Sequence, residues 1–188
     1  RSGVTVTVNE GSEVFTTSGD NAIVGKSSTN LTVNNSGNIY SAGAKAVSFR
    51  QGSGATLSNN SGATIYAATN TISGNHNDTE NATITNSGTI YSTDASTNTI
   101  IFAVGSTGNS IVNNTGGEIY TEGTGATIKL GASSTLTNSG TIKTGSVSSR
   151  AINAAGSNNT ITLKDDGKII GIISSADGTT GNKLQMQH

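Results

Sequence analysis

The chain has 188 residues, of which 103 are Gly, Thr, Ser or Asn, and its 10 basic and 11 acidic side chains leave a formal net charge of -1. The absence of cysteine excludes a disulfide scaffold and thiolate-bound zinc or iron–sulfur centres. The balanced charge gives no general attraction for nucleic acid, and no apolar run is long enough to insert into a membrane.

One motif recurs along the chain: a segment rich in Val, Ile and Thr, a turn of Asn, Ser and Gly, and a second such segment. Its seven copies, in chain order, are TVTVNEGSEVFT (5–16), LTVNNSGNIYS (31–41), ATLSNNSGATIYA (55–67), ATITNSGTIYS (82–92), SIVNNTGGEIYT (110–121), STLTNSGTIKT (134–144) and NTITLKDDGKIIG (159–171). Short runs of these residues bounded by turn residues are typical of β-strands. The repetition predicts a solenoid.

One aliphatic residue follows the turn in every copy and marks the period of the repeat. These markers are Val14, Ile39, Ile65, Ile90, Ile119, Ile142 and Ile169. Their spacings range from 23 to 29 residues, with a mean of about 26, so the repeat is structural and its length varies in the turns. A third apolar stretch lies between successive copies, for example at 22–24, 46–49 and 126–130. Each repeat is therefore predicted to carry three short strands.

These features predict an all-β fold, a single-stranded parallel β-helix (solenoid) of about seven coils of about 26 residues each. Equivalent strands then lie about 4.8 Å apart in successive coils. The markers form an interior column, and the residues next to them face outward. The Asn-Ser-Gly segments form one corner, where glycine is expected to adopt positive φ and asparagine to bond its stacked counterparts.

The whole of 1–188 is predicted to form one elongated domain. Leu184 and Met186 are interpreted as the start of an incomplete eighth coil, and neither terminus carries a charged cap for the open end of such a rod. We therefore interpret the chain as a fragment of a longer protein.

The copies over 31–171, the absence of cysteine and the segment DGTTGNKLQM (177–186) resemble the passenger domains of autotransporters, the type V secretion proteins of Gram-negative bacteria. This resemblance implies a right-handed β-helix that is extracellular or held on the bacterial cell surface. It also implies a secretion signal and a C-terminal outer-membrane barrel, both of which lie outside these residues. Family passengers include adhesins, aggregation factors, proteases, esterases and toxins, and a shared fold does not choose among them.

Few residues are suited to catalysis. The histidines are His76 and His188, and His76 lies in SGNHNDTEN (73–81), a polar stretch that interrupts the third-strand pattern of its coil and is interpreted as an exposed loop. Asp165 and Asp166 stand where other copies have Asn-Ser, and they are interpreted as corner residues. We expect neither a catalytic triad nor a calcium-dependent lyase site, and therefore no cofactor, no metal and no enzyme activity.

An aromatic residue follows five successive markers directly. These residues are Phe15, Tyr40, Tyr66, Tyr91 and Tyr120. If the markers point inward, alternation turns these rings outward and stacks them into an exposed column. Tyrosine combines a large apolar area with a polar tip and therefore suits contacts with protein or sugar. Alternatively, the rings only stabilise the outer face of the sheet.

Basic residues recur in or beside the third-strand region. They are Lys26, Lys45, Arg50, Lys129 and Arg150. Placed along one flank of the stack, they would attract an anionic glycan, such as a glycosaminoglycan, or an acidic protein surface, and binding would depend on salt. Scattered solubilising charge is the alternative interpretation.

These features together favour a surface-displayed or secreted passenger that binds a host cell-surface protein or glycan, or a neighbouring bacterium, through the aromatic column and the basic flank. Self-association is a further expectation for such a face. Two alternatives remain: a released effector that engages a host receptor like a growth factor or toxin, and a structural stalk whose active region lies outside this chain.

Overall fold

A computed structural model of the chain describes residues 3–26 and 30–187. Their regular structure consists of 22 β-strands in three parallel sheets, without a helix, so no helix in this part of the chain could span a membrane. Sheet 1 contains β1 (Thr5–Val8), β4 (Thr32–Asn35), β7 (Thr56–Asn59), β10 (Thr83–Asn86), β13 (Ser110–Asn113), β16 (Thr135–Asn138), β19 (Thr160–Lys164) and β22 (Lys183–Gln187). Sheet 2 contains β2 (Glu13–Thr16), β5 (Asn38–Ser41), β8 (Thr64–Ala67), β11 (Thr89–Ser92), β14 (Glu118–Thr121), β17 (Thr141–Lys143) and β20 (Lys168–Ile170). Sheet 3 contains β3 (Ile23–Val24), β6 (Val47–Ser48), β9 (Ile72–Gly74), β12 (Ile100–Phe102), β15 (Ile128–Leu130), β18 (Arg150–Ala154) and β21 (Ile172–Ser175).

The strands follow a strict cycle of the three sheets, so the chain winds as a β-solenoid of about seven coils. The seven markers pair directly with one another along sheet 2, from Val14 against Ile39 to Ile142 against Ile169. The predicted fold class and alignment are confirmed. Strand β22 pairs with β19 and begins an eighth coil, as Leu184 and Met186 suggested.

Each coil contributes inward aliphatic side chains to one continuous core. Ile39, Ile65 and Ile90 are fully buried. In the first of these strands Ser41 is also buried, whereas Tyr40, between Ile39 and Ser41, is only partly buried. This pattern is the alternation expected of strands with one face on a core. Two phenylalanines, Phe49 and Phe102, are among the largest fully buried side chains.

One detail of the sequence interpretation was wrong. The stretch 73–81 was expected to interrupt the third-strand pattern, but its first two residues belong to β9, which pairs with β6 and β12. The aliphatic pattern is weak there because Gly74 is the partner of Phe102, and a Cβ at Gly74 would lie 2.5 Å from that ring. The large ring of one coil thus occupies the space that the small residue of the previous coil leaves. His76 lies just beyond the strand, in a loop that is mostly exposed as predicted, although His76 itself is partly buried.

The corner between sheets 1 and 2 alternates between two lengths over the first six coils, and the seventh corner, at 165–167, has three residues. Four-residue corners at 9–12, 60–63 and 114–117 alternate with two-residue corners at 36–37, 87–88 and 139–140. The expected positive φ occurs in the long corners, for example at Gly62 with φ of 80°, but the expectation was wrong for the glycines of the short corners. Gly88, in a short corner, is required for a different reason: a Cβ there would lie 2.5 Å from the carbonyl oxygen of Asn60 and closer still to that of Ala63. The short corner therefore nests against the long corner of the previous coil.

The last residue of sheet 1 before this corner is asparagine in five successive coils. The asparagine ladder consists of Asn35, Asn59, Asn86, Asn113 and Asn138. The amide nitrogens of the first four members each donate to the Oδ1 atom of the next member at 2.8 Å, and all five side chains are buried. Stacking of asparagines was expected, but in the long corners the stacked residues are Asn59 and Asn113, whereas Asn60 and Asn114 belong to the turns.

Candidate functional site

The five predicted aromatic residues form one outward row on sheet 2, which we call the tyrosine row. Its members are Phe15, Tyr40, Tyr66, Tyr91 and Tyr120. Successive ring centroids are 4.9 to 5.1 Å apart, and successive ring planes differ by only 4° to 11°. The separation equals the spacing of stacked strands, about 4.8 Å, so the coil itself brings the rings into contact.

Buried threonines from the preceding coil hold the strands that carry the last rings. The Oγ1 atom of Thr71 donates to the carbonyl oxygen of Tyr91 at 2.5 Å, and that of Thr99 donates to the carbonyl oxygen of Tyr120 at 2.6 Å. Both threonines are fully buried just before a strand of sheet 3. The backbone under these rings is thus fixed from the inside of the solenoid.

The stack covers ring faces and leaves the hydroxyl groups uncovered. An inner ring such as Tyr66 has a neighbour on each face. None of the four tyrosine hydroxyls has a hydrogen-bond partner among the described residues, and none is buried. Partial burial raises the pKa of Tyr66, Tyr91 and Tyr120, with smaller contributions from neighbouring tyrosines and from Glu13, Glu118 and Glu122. These hydroxyls are therefore protonated at neutral pH and can both donate and accept hydrogen bonds.

The row ends on a cation that the sequence interpretation missed. Lys143 occupies the next register position after Tyr120, and its Nζ atom lies 4.7 Å from the centroid of that ring. The same Nζ atom is 2.5 Å from Oε1 of Glu118. Lys143 directly follows the marker Ile142, so the repeat alignment already placed it in the same column as the rings. It was missed because only aromatic residues were considered at that position. Ile170 occupies the position after Lys143 and is exposed.

The basic residues do not form a single row. Lys26 and Arg50 each lie three residues after the first residue of their strand in sheet 3. Lys45 and Arg150 each lie two residues before the inward aliphatic residue of their strand. Lys129 directly follows the inward residue of its strand, Ile128. Since Lys45 and Arg50 flank the same strand, β6, they line a common cavity. Lys129 and Arg150 belong to strands three and four coils further along.

The residues considered for catalysis remain separate. The Nδ1 atom of His76 accepts a hydrogen bond from the backbone N–H of Asp78 and lies 3.4 Å from that residue's carboxylate. Asp165 and Asp166 lie in a turn between sheets 1 and 2, and His188 lies outside the described residues. Over 3–26 and 30–187, no three His, Asp or Glu side chains gather closely enough to hold a metal ion.

Comparison with known proteins gives no relative for this chain. No family model, no curated protein and no solved structure matches it significantly.

Proposed function

We propose that this chain is part of a secreted, surface-displayed autotransporter passenger that binds the surfaces of host cells or neighbouring bacteria and catalyses no reaction. The repeated coils with Asn-Ser-Gly corners support the class of protein. The observation that carries the binding role is the tyrosine row: four tyrosine hydroxyls, about one coil apart and without partners in the described residues, on an outward face. Stacking itself does not require the hydroxyl groups, since Phe15 stacks on Tyr40 without one, and they are therefore available to a partner.

The geometry of the row limits how a partner binds. A sugar ring cannot stack on the face of an inner tyrosine, because neighbouring rings already cover both faces. A partner instead meets ring edges and hydroxyl groups that repeat along the solenoid axis. Each hydrogen bond contributes little, about 0.5 to 1.5 kcal/mol. An extended partner that engages several rungs gains affinity because later contacts are intramolecular.

Replacing tyrosine by phenylalanine at 40, 66, 91 and 120 tests this proposal. The change removes every hydroxyl of the row and keeps the stack, since Phe15 already stacks on Tyr40 at 4.9 Å. Purified wild-type and variant chains would be titrated onto epithelial cells and onto Gram-negative bacterial cells. We expect binding to fall at least about tenfold, the loss of a few weak hydrogen bonds.

The matched control replaces Thr32, Thr56, Thr83 and Thr135 by Val on the outward face of sheet 1, where β-branched side chains also suit a strand. This variant also loses four outward hydroxyls and should bind like the wild type. Unchanged binding of the phenylalanine variant, with an unchanged circular dichroism spectrum, would reject the tyrosine row as the binding face and favour the stalk alternative. Receptor phosphorylation or proliferation of treated host cells would favour the released effector, whereas attachment without signalling would favour adhesion.

The secretion route is tested separately, by expressing the complete parent reading frame in a Gram-negative host. Antibodies against 1–188 should label intact cells, and external protease should remove the label. A label that appears only after the cells are permeabilised would contradict surface display without bearing on the tyrosine row.

A further inference from the structure

A cavity of about 260 Å³ lies on the outward side of sheet 3, between the second and third coils. Its lining residues are Lys45, Ser48, Arg50, Ser73, Asn75 and His76. It is on a different sheet from the tyrosine row. Its volume is just below the range typical of sites for drug-sized ligands, about 300 to 1,000 Å³. It is therefore suited to one substituted unit of a ligand.

Two serines form the floor of the cavity. Ser48 and Ser73 are register partners in β6 and β9, and they are only 5% and 3% exposed although the alternation of the strands turns them outward. Their neighbours in the same column are the larger Val24 and Ile101. The cavity exists because two small polar residues are adjacent there, between larger apolar ones.

Cationic side chains stand on both sides of this floor. Lys45 precedes β6 and Arg50 follows it, while Asn75 and His76 follow β9. His76 is held in place by the N–H of Asp78, and its Nε2 atom lies 3.3 Å from the side-chain nitrogen of Gln51. No acidic residue is among the described residues that line the cavity, although Asp78 lies beside His76 on its outer side.

From this arrangement we propose that the cavity binds one anionic substituent, a sulfate ester or a carboxylate, of an acidic oligosaccharide. Lys45 and Arg50 supply positive charge from two sides, and charge-assisted hydrogen bonds to oxyanions are about twice as strong as neutral ones. The serine hydroxyls and the Asn75 amide can donate to the remaining oxygens. Of the five basic residues singled out in the sequence, Lys45 and Arg50 line this cavity.

The test measures binding of a heparin tetrasaccharide to the full chain by isothermal titration calorimetry at low salt. Lys45→Ala together with Arg50→Ala should weaken binding at least tenfold. Ser48→Val should also weaken it at least fivefold, because it fills the floor without changing any charge, and the register position already carries Val24 one coil earlier. Lys129→Ala, which removes one positive charge from the same sheet outside the cavity, should change binding less than twofold.

Two arms identify the anionic group. A desulfated tetrasaccharide of the same length that still binds assigns the site to carboxylates, and one that no longer binds assigns it to sulfate esters; both results support the proposal. The proposal would be overturned if the wild-type chain bound neither the heparin tetrasaccharide nor its desulfated form. Unchanged binding of the Ser48 variant, or an equal loss in the Lys129 variant, would also overturn it, because attraction by diffuse surface charge would then explain the data. The tyrosine variants leave this cavity intact, so the two proposals fail independently.

Discussion

The asparagine ladder and the tyrosine row are built on the same principle, since each places five side chains at equivalent positions of successive coils. They differ in what happens to the polar atoms. Each amide nitrogen from Asn35 to Asn113 donates to the next member at 2.8 Å inside the solenoid. The tyrosine hydroxyls, in contrast, have no partner among the described residues.

This difference indicates that the asparagine ladder contributes to stability, whereas the tyrosine row is suited to binding. Burying an unpaired polar group is costly, so a buried ladder persists only if each member is satisfied by its neighbours. An outward row is free of this requirement, and its polar atoms remain available to another molecule. Substitutions in the ladder should therefore change stability most, whereas hydroxyl removal in the row should leave stability almost unchanged.

The largest expected effect is that of Asn86→Asp in the middle of the ladder. The Nδ2 atom of Asn86 lies within 3.2 Å of three oxygens, those of Gly88, Asn113 and Glu118. A carboxylate oxygen in its place would face these acceptors without a proton, so we expect a loss of about 4 kcal/mol or more in the free energy of unfolding. Urea denaturation followed by circular dichroism measures it.

The control for that experiment is Asn60→Asp, the same substitution in the neighbouring turn. Asn60 is exposed, and its side chain contacts the Ser36 hydroxyl, which can donate to a carboxylate as well. We expect a change within about 0.5 kcal/mol. Similar losses for both variants would mean that the ladder contributes no more than an ordinary surface asparagine.

A smaller effect is expected from Gly88→Ala, beside the ladder. The new Cβ would lie 2.9 Å from the ladder amide of Asn59 and closer still to backbone oxygens of the previous coil. Because backbone atoms must move, we expect a loss of about 3 kcal/mol. Gly62→Ala meets no atom within 4 Å but places alanine at a φ of 80°, which costs about 1 to 2 kcal/mol. The reverse order in thermal unfolding would contradict the nested corners.

Much of the arrangement of the core column and the tyrosine row could be predicted from the sequence. The marker column and the outward rings follow from two rules, alternation within a strand and like residues stacked on like. The position of the ladder in the long corners was missed because the corners were identified by their Asn-Ser-Gly and Asn-Thr-Gly segments, which begin at Asn60 and Asn114. Alternation from the inward Leu57 would have turned Asn59 inward and left Asn60 to the turn.

Features that depend on coil length were also beyond the sequence. Variable turns between coils prevent a simple count from revealing that His76 comes beside Arg50 and Lys45 around two serines. The strand at Ile72 was also difficult to recognise in the sequence, because it contains one aliphatic residue and a glycine instead of a longer apolar run. Alignment along the repeat locates a column well, whereas the space between columns depends on side-chain packing.

In the tyrosine row, Tyr91→Ser should cost far more stability than Tyr91→Phe. Tyr91 stacks on Tyr66 at 5.1 Å and on Tyr120 at 4.9 Å, and each aromatic pair is worth about 0.5 to 1.5 kcal/mol beyond burial. Serine should therefore lower the free energy of unfolding by about 1 to 3 kcal/mol, and phenylalanine should change it by less than about 0.5 kcal/mol. A large loss with phenylalanine would show that the hydroxyl has a structural partner.

The smallest expected effect is alkaline destabilisation through the same rings. Partial burial raises the pKa of Tyr66, Tyr91 and Tyr120 above that of tyrosine in an unfolded chain, about 10. Above that pH the unfolded state loses its protons first, so stability is fully present below about pH 10 and declines as the pH rises through the raised values. Urea midpoints between about pH 8 and 11 should fall more steeply for the wild type than for the fourfold phenylalanine variant. Parallel curves would mean that the row ionises as freely in the folded chain as in the unfolded one, which would contradict the packed stack.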